Sequence, residues 1–328
     1  MTLLDHLFLG TPVWAWLAFL AAVAALLAFD LGVLHRKRRE IGVRESVALS
    51  AMYIALGLAF GGLLWWWRGA DVGLAYLTGF VVEKSLAMDN VFVIAMIFGY
   101  FAIPRMHQHR VLFWGVLGVI VLRAIMIGLG ATLVERFSWT LYLFAAFLVA
   151  TGVKMWLTAD KSYDVGASPV LGGIRRRCPV TDTLEGERFM VRRIDPATGR
   201  MRLYATPLLL ALIMIEVADV VFAVDSVPAI FAITTDPFIV YTSNIFAILG
   251  LRALYFALAA MVERFHALKY ALAALLVFIG SKIFVADMLG LAKIPPSVSL
   301  GVTFAILGVG VGWSLWSTRN RAAAPAAS

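Results

Sequence analysis

Nine long apolar segments restrict the folds that this chain can adopt. Each has about 20 residues with few charges, which is the length an α-helix needs to cross the hydrocarbon core of a bilayer. Hydrophobic residues make up 62% of the 328 positions and charged residues only 15%, more apolar than a soluble core needs. The sequence therefore predicts an all-α polytopic membrane protein with spans at about 12–34, 45–67, 73–100, 109–132, 138–157, 206–232, 238–261, 267–289 and 296–317.

Lys and Arg residues predict how these spans are oriented. They are concentrated in alternate connections, namely 36–39, 105–110, 158–205 and 319–321. Because such residues are enriched in cytoplasmic loops, we expect the N-terminus outside and the C-terminus in the cytoplasm. The net charge of +8 then reflects topology, and nucleic-acid binding is not expected.

The connection 158–205 differs from the rest in composition. Residues 188–194 and 200–204 are strand-like and flank a Pro/Gly turn, which predicts a small cytoplasmic β-hairpin. The Ala/Pro tail 320–328 is predicted to be disordered, and residues 1–328 are expected to form a single transmembrane domain. The only cysteine, Cys178, excludes an intrachain disulfide and a Cys-rich metal site.

Two of the apolar segments contain matching acidic stretches. In each, an acidic residue lies six positions before an Asp that is followed by a small polar residue and an apolar run. Carboxylates cost roughly 2.5–3.5 kcal/mol at the centre of a membrane helix, so they usually face a cavity or a partner and indicate a transport pathway. The candidate metal ligands are Glu83, Asp89 and Asn90 in the third segment and Glu216, Asp219, Asp225 and Ser226 in the sixth.

The likeness continues downstream as an internal repeat. Residues 122–124 match 251–253, and Gly-x-Lys ends at Lys154 in one copy and at Lys282 in the other. Repeat 1 covers about 73–157 and repeat 2 about 206–289. Because each copy has three spans, the second enters the membrane from the opposite side, as in many secondary transporters. We expect helix interruptions at Pro228 and at the Asp-Asn and Asp-Ser pairs.

Oxygen-rich side chains in these stretches favour Mg²⁺, Ca²⁺ or Mn²⁺, because imidazole and thiolate ligands are the usual choice for softer metals. The five histidines fall at or near span ends. An alternative is that the acids only neutralise basic residues in the membrane, which is compatible with transport. The predicted counter-charges are Arg123, Lys154, Arg252 and Lys282, with Asp30 near the cytoplasmic mouth.

At these motifs the chain resembles the TerC family of membrane proteins, and closely its Alx branch. The matching pieces are DLGVLHRK (30–37), EKSLAMDNVFV (83–93), LYATP (203–207), EVADVVFAVDSVPAIF (216–231), TTDPF (234–238) and TSNIFAILGLR (242–252). The resemblance implies a bacterial inner-membrane protein that exports Mn²⁺, in a family first named for tellurite resistance. It also implies that the acidic positions bind the ion and that Asn90, Ser226 and Asn244 are their polar companions.

Exporting a divalent cation against an interior-negative potential costs roughly 4.6 kcal/mol per 100 mV, so the flux must be coupled to a driving force. We expect exchange for H⁺, since acidic residues relay protons in many transporters. No G-x-x-x-x-G-K-[ST] loop occurs, which disfavours direct use of ATP. No permanently bound cofactor and no enzymatic activity are expected. The alternative is a membrane scaffold or redox partner with an indirect role in metal or tellurite resistance.

Overall fold

The computed structural model describes residues 6–34, 43–137, 139–158, 165–166, 168–194, 199–258, 268–290 and 294–323. Two short hairpins and eleven helices account for most of them. The strands are β1 Leu7–Phe8, β2 Thr11–Pro12, β3 Met190–Ile194 and β4 Met201–Ala205. The helices are α1 Val13–Leu34, α2 Val43–Arg68, α3 Ala70–Tyr100, α4 Arg105–Arg136, α5 Thr140–Leu157, α6 Pro169–Arg177, α7 Pro207–Phe231, α8 Pro237–Leu249, α9 Leu251–Leu258, α10 Leu268–Met288 and α11 Pro296–Ala323.

The predicted all-α membrane fold is confirmed. Within the described ranges, eight helices are long and apolar enough to cross a membrane, with α8 and α9 counted as one. These eight correspond to every predicted span except 73–100. That segment is helix α3, whose 31 residues are ample in length but include Glu83, Lys84 and Asp89 near its middle.

Helix α8 is the centre of the bundle. It packs against α1, α2, α3, α4 and α7, and every residue from Phe238 to Leu249 is buried. A helix that is apolar on all sides is stable only when surrounded by other elements. Asp236 fixes where α8 begins, because its side chain accepts hydrogen bonds from the backbone N–H groups of Phe238 and Ile239 at 2.9 and 3.4 Å. Arg68, at the end of α2, holds the same carboxylate at 2.8 Å.

The helix interruption lies at Gly250, between α8 and α9. The predicted interruptions at Pro228 and at the two Asp pairs are therefore wrong, since α3 and α7 run through those positions without a break. Pro228 removes one backbone donor, but its fixed φ angle is compatible with a helix and it lies near the end of α7. At Gly250 an added Cβ atom would lie 2.9 Å from the Lys84 ammonium and from Tyr53 Cβ, so tertiary packing requires glycine there.

The two copies of the repeat meet where α5 packs against α10. An added Cβ at Gly152 would lie 2.7 Å from the carbonyl oxygen of Ala273, and one at Gly280 would lie 2.6 Å from that of Ala145. In both contacts the position in the second copy is 128 residues from its counterpart in the first. Such reciprocity is what a pseudo-two-fold axis between the helices produces, and it supports the inverted repeat.

The predicted hairpin in the connection 158–205 is present. Strands β3 and β4 pair antiparallel with Arg193 opposite Arg202, while most of the predicted turn, 195–198, lies outside the described residues. The hairpin leads into the first residue of α7, and we call this end of the bundle the hairpin end and the opposite one the far end. Helix α6 precedes the hairpin and was not predicted.

The C-terminal helix is longer than predicted. Helix α11 extends to Ala323, so the predicted disorder of residues 320–323 is wrong. Residues 313–323 contain no Pro or Gly that would end the helix, so it continues beyond the apolar span. Residues 324–328 lie outside the described part of the chain.

Replacing Gly152 by Ala tests the contact between α5 and α10. The added methyl group would approach the backbone of α10, which cannot move as a side chain can, so we expect the free energy of unfolding to fall by about 1–3 kcal/mol. Gly62→Ala on α2 is the matched control, because its Cβ would meet nothing within 4 Å. Unfolding in detergent measures both, and equal stabilities would contradict the close contact.

Candidate functional site

Arg123 on α4 lies at the centre of a buried polar cluster, which we call the Arg123 cluster. Its side chain is 1% exposed and donates to Asp219 on α7, with Nη2 3.1 Å from Oδ1 and Nε 3.4 Å from Oδ2. Nη1 donates to Oε1 of Glu83 on α3, to Oγ of Ser226 at 2.9 Å and to Oδ1 of Asn244 on α8 at 3.0 Å. The guanidinium thus joins the two acidic stretches.

Helix geometry explains which polar side chains lie beside Glu83 and Asp219. Positions seven apart lie on one face of a helix, so Glu83 shares a face with Asn90, and Asp219 with Ser226. The amide nitrogen of Asn90 donates to Oδ1 of Asp219 at 3.5 Å. All four side chains are buried, which places polar groups from α3 and α7 together inside the bundle.

Several buried oxygen atoms in and beside the cluster have no hydrogen-bond partner among the described groups. They are Oε2 of Glu83, Oδ1 of Asn90 and Oε2 of Glu216. The carboxylate of Glu216 lies against Gly118 of α4. A Cβ atom added at Gly118 would be 2.1 Å from Oε1, so Glu216 can occupy this position only because residue 118 has no side chain. Unpartnered carboxylate and amide oxygens are expensive to bury and are the ligand type of hard divalent cations.

No preformed metal centre occurs among the described side chains, since no three acidic, His or Cys residues converge on one point there. The side chain of Asp89 lies outside that description. Arg123 takes the space between Glu83 and Asp219 instead. In this structure a carboxylate from each acidic stretch is therefore paired with a guanidinium, and the space between the two is filled.

Arg252, the copy of Arg123 in the second repeat, binds elsewhere. Its Nη2 lies 2.8 Å from Oδ1 of Asp30 on α1. Arg123 follows Asp89 by 34 positions, whereas Arg252 follows Asp225 by only 27, so the two arginines occupy different levels relative to their acids. A cavity of about 10 Å³ beside the Asp30 pair has room for about one water molecule.

Asp225 and Lys154 form a third group. Asp225 accepts a hydrogen bond from Thr151 and is attracted by the charge of Lys154, both on α5. Asp225 lies six residues after Asp219, and this spacing turns it away from the face that carries Asp219 and Ser226. Lys282, the copy of Lys154, is buried and lines a separate cavity at the far end.

The predicted residues thus fall into distinct places. The structure brings together Glu83, Asn90, Arg123, Asp219, Ser226 and Asn244, with Glu216 beside them. It separates Asp30 with Arg252, Asp225 with Lys154, and Lys282 from that cluster, and it leaves the side chain of Asp89 undescribed.

Lys84 has a role that the sequence did not indicate. Its ammonium donates to the carbonyl oxygen of Ala247 at 3.0 Å, near the end of α8. That carbonyl lies just before the interruption at Gly250, where the regular helical hydrogen bonds end. The adjacent residue, Glu83, binds Arg123, so α3 is tied to the cluster and to the interruption by successive residues.

Comparisons with known proteins agree with the membrane fold. The profile described as "Integral membrane protein TerC family" matches residues 68–322. The chain is 46% identical over 311 residues to a Myxococcus xanthus protein described as an uncharacterized membrane protein, covering 95% of this chain and 94% of that one. It is 49% identical over 307 residues to an Escherichia coli K12 protein with the provisional name membrane-bound redox modulator Alx, covering 91% and 92%. A Salmonella typhi protein of the same name is 47% identical over 321 residues, covering 95% and 97%. No solved structure matches.

Arg123→Gln tests how far the bundle depends on the buried cluster. Removing the guanidinium leaves Glu83 and Asp219 buried without a counter-charge, so the free energy of unfolding should fall by about 3–5 kcal/mol. Arg193→Gln is the control, because its ion pair with Glu185 is exposed and should be worth less than about 1 kcal/mol. Denaturation in detergent measures both variants, and similar losses in the two would contradict a buried ion pair.

Proposed function

The chain belongs to the TerC family of integral membrane proteins, and we propose that it is a secondary transporter that exports Mn²⁺ from the cytosol. The observation that carries the proposal is the Arg123 cluster, which joins carboxylates from both acidic stretches inside the bundle. Intramembrane ionisable groups are expensive and usually serve ion pathways. The choice of Mn²⁺ among hard divalent cations rests on the family resemblance.

The ligand chemistry of the cluster supports a divalent cation as cargo. Glu83, Asp219 and Glu216 supply carboxylates, and Asn90 and Ser226 supply neutral oxygen atoms. Oxygen ligands of this kind suit Mg²⁺, Ca²⁺ and Mn²⁺. The oxygens that lack a hydrogen-bond partner are the ones available to a cation without first breaking a bond to the protein.

In the proposed cycle, the cation and the Arg123 guanidinium compete for the same carboxylates. When no cation is bound, the guanidinium is the shared counter-charge of Glu83 and Asp219, as in this structure. When a cation enters, its charge replaces that of Arg123, whose side chain withdraws. Neither state leaves buried carboxylates without a counter-charge, which keeps the two states close in free energy.

Proton exchange supplies the driving force in this proposal. Export of a divalent cation against the membrane potential costs roughly 4.6 kcal/mol per 100 mV. Carboxylates that release a cation can accept protons, and Glu216 lies next to the cluster without a counter-ion of its own within it. Protons taken up from outside would return inward as the empty site reorients.

The basic residues support placing the hairpin end in the cytoplasm and the N-terminus outside, and the choice of a bacterial inner membrane rests on the family resemblance. Helix α6 ends in Arg175, Arg176 and Arg177, and the hairpin carries further arginines. Positive residues in such connections are retained in the cytoplasm. The Arg123 cluster would then receive cations from the hairpin end and release them at the far end.

A second candidate function comes from the names of the relatives in Escherichia coli and Salmonella typhi, which describe a membrane-bound redox modulator. This chain has one cysteine, Cys178, which is exposed in the connection before the hairpin. A single cysteine cannot cycle between a dithiol and an intrachain disulfide. A redox role would therefore act through a partner or through the metal content of the cell.

Transport by purified protein in liposomes tests the proposal. We expect Mn²⁺ flux in the unmodified protein and a loss of about tenfold or more in Glu83→Gln and in Asp219→Asn, since even an outer-shell partner of a metal site contributes roughly 10–100-fold in affinity. Glu187→Gln is the matched control, because its ion pair with Arg110 is exposed and Arg110 lies thirteen residues, about 20 Å along the helix axis, before Arg123 on α4. Absence of flux in the unmodified protein under every gradient would favour the indirect role.

A pH gradient across the same liposomes tests the coupling. If protons move in exchange, a gradient of one unit, about 1.4 kcal/mol per proton, should shift the equilibrium Mn²⁺ ratio about tenfold for each coupled proton. An ionophore that collapses the gradient should abolish the shift. A ratio that ignores the gradient would rule out proton exchange while leaving cation transport intact.

A further inference from the structure

A cavity of about 210 Å³, lined mainly by apolar side chains together with Lys282 and Asp287, lies at the far end of the bundle. It is formed where α5 begins, α7 and α10 end, and α11 begins. Because α7 starts at the hairpin, its last residue, Phe231, and the following Thr235 mark the end of the bundle that we place outside. The cavity is therefore on the side to which the proposed transporter releases its cargo.

Phe231 closes the inner side of this cavity. It lines the cavity yet is 2% exposed, and its ring packs between α4 and α5. On α4 the ring fills the space beside Gly130, where an added Cβ would lie 2.7 Å from the ring. On α5 the ring of Phe144 lies with its centroid 6.4 Å away. The glycine thus makes the space that the aromatic ring occupies.

A short apolar layer separates Phe231 from the Arg123 cluster. Ile127 lies one helical turn beyond Arg123 on α4, and Val227 directly follows Ser226 on α7, and both are buried in the same apolar cluster as Phe231. Ser226 and Phe231 are five residues apart, which is about 7.5 Å along a helix axis. The cluster and the cavity are thus close neighbours divided by one layer of side chains.

The charges of the cavity are arranged along α10. Lys282 is buried, whereas Asp287 is exposed and lies five residues nearer the end of the helix. A cation that has passed Phe231 meets the ammonium of Lys282 in the interior and the carboxylate of Asp287 at the rim. The carboxylate of Asp287 attracts a cation towards the rim of the cavity.

We infer that this cavity is the chamber into which the cation is released, and that the ring of Phe231 against Gly130 is the seal between the chamber and the Arg123 cluster. The identity of the cargo rests on the proposed function. The seal itself rests on the packing of Phe231, whose ring is buried beside Gly130 in this structure.

Thiol labelling tests the seal without any measurement of transport. The protein has one native cysteine, so Cys178→Ser gives a background free of thiols. In that full-length background, Ile283→Cys places a thiol in the chamber and Ser226→Cys places one beneath the seal. A charged, membrane-impermeant methanethiosulfonate is added to right-side-out membrane vesicles. We expect it to label Ile283→Cys and to spare Ser226→Cys.

Opening the seal should expose the deeper thiol. Phe231→Ala should raise the labelling rate of Ser226→Cys by about tenfold or more, the change that a barrier lower by about 1.4 kcal/mol produces. Gly130→Ala is a second variant that keeps the aromatic ring but displaces it. Gly128→Ala on the same helix is its matched control, because its Cβ would meet nothing within 4 Å, and it should leave the rate unchanged.

The results separate this inference from the proposed function. Labelling of Ser226→Cys behind an intact Phe231, or no effect of both Phe231→Ala and Gly130→Ala in folded protein, would overturn the seal. Labelling of Ile283→Cys only from the hairpin side would overturn the chamber. The expected labelling pattern in a protein that moves no Mn²⁺ in liposomes would support the chamber and the seal and overturn the cargo.

Discussion

The buried ion pairs of Arg123 determine how the surrounding helices are arranged. One guanidinium binds Glu83 on α3 and Asp219 on α7, and it donates to Asn244 on the central helix α8. Separating these helices would leave charged groups in an apolar interior without partners, which costs far more than a surface ion pair would. Arg123, which belongs to the first copy of the repeat, thus connects that copy to the second through Asp219.

The sequence predicted much of the fold because its strongest signals are local. Apolar run lengths located the spans, and alternation around a Pro/Gly turn located the hairpin. The interruption at Gly250 was not predictable, because Gly250 is fixed by Tyr53 and Lys84, which are distant in sequence, whereas the proline in α7 was the more obvious local signal. Tertiary contacts decided between the two positions.

For the candidate site, the sequence identified residue types but not their partners. Which acid meets which base depends on helix rotation and level. The six-residue step from Asp219 to Asp225 sends the two carboxylates to different neighbours, Arg123 for one and Thr151 for the other. Adjacent residues diverge in the same way: Glu83 belongs to the Arg123 cluster, while Lys84 stabilises the end of α8 at Ala247. Any rearrangement of α3 that frees Glu83 would therefore also disturb the interruption in α8.

The pair formed by Asp30 and Arg252 shows that the equivalent arginines of the two copies have different partners. Arg252 has the same place in its copy that Arg123 has in the other, but the shorter path from Asp225 keeps it away from the acidic residues of the repeats. Its counter-ion comes from α1, a helix that lies outside both copies. Among the described residues of the two copies, none forms an ion pair with Arg252. The two equivalent arginines thus do different work: Arg123 joins the two copies to each other, and Arg252 fastens the second copy to the N-terminal helix.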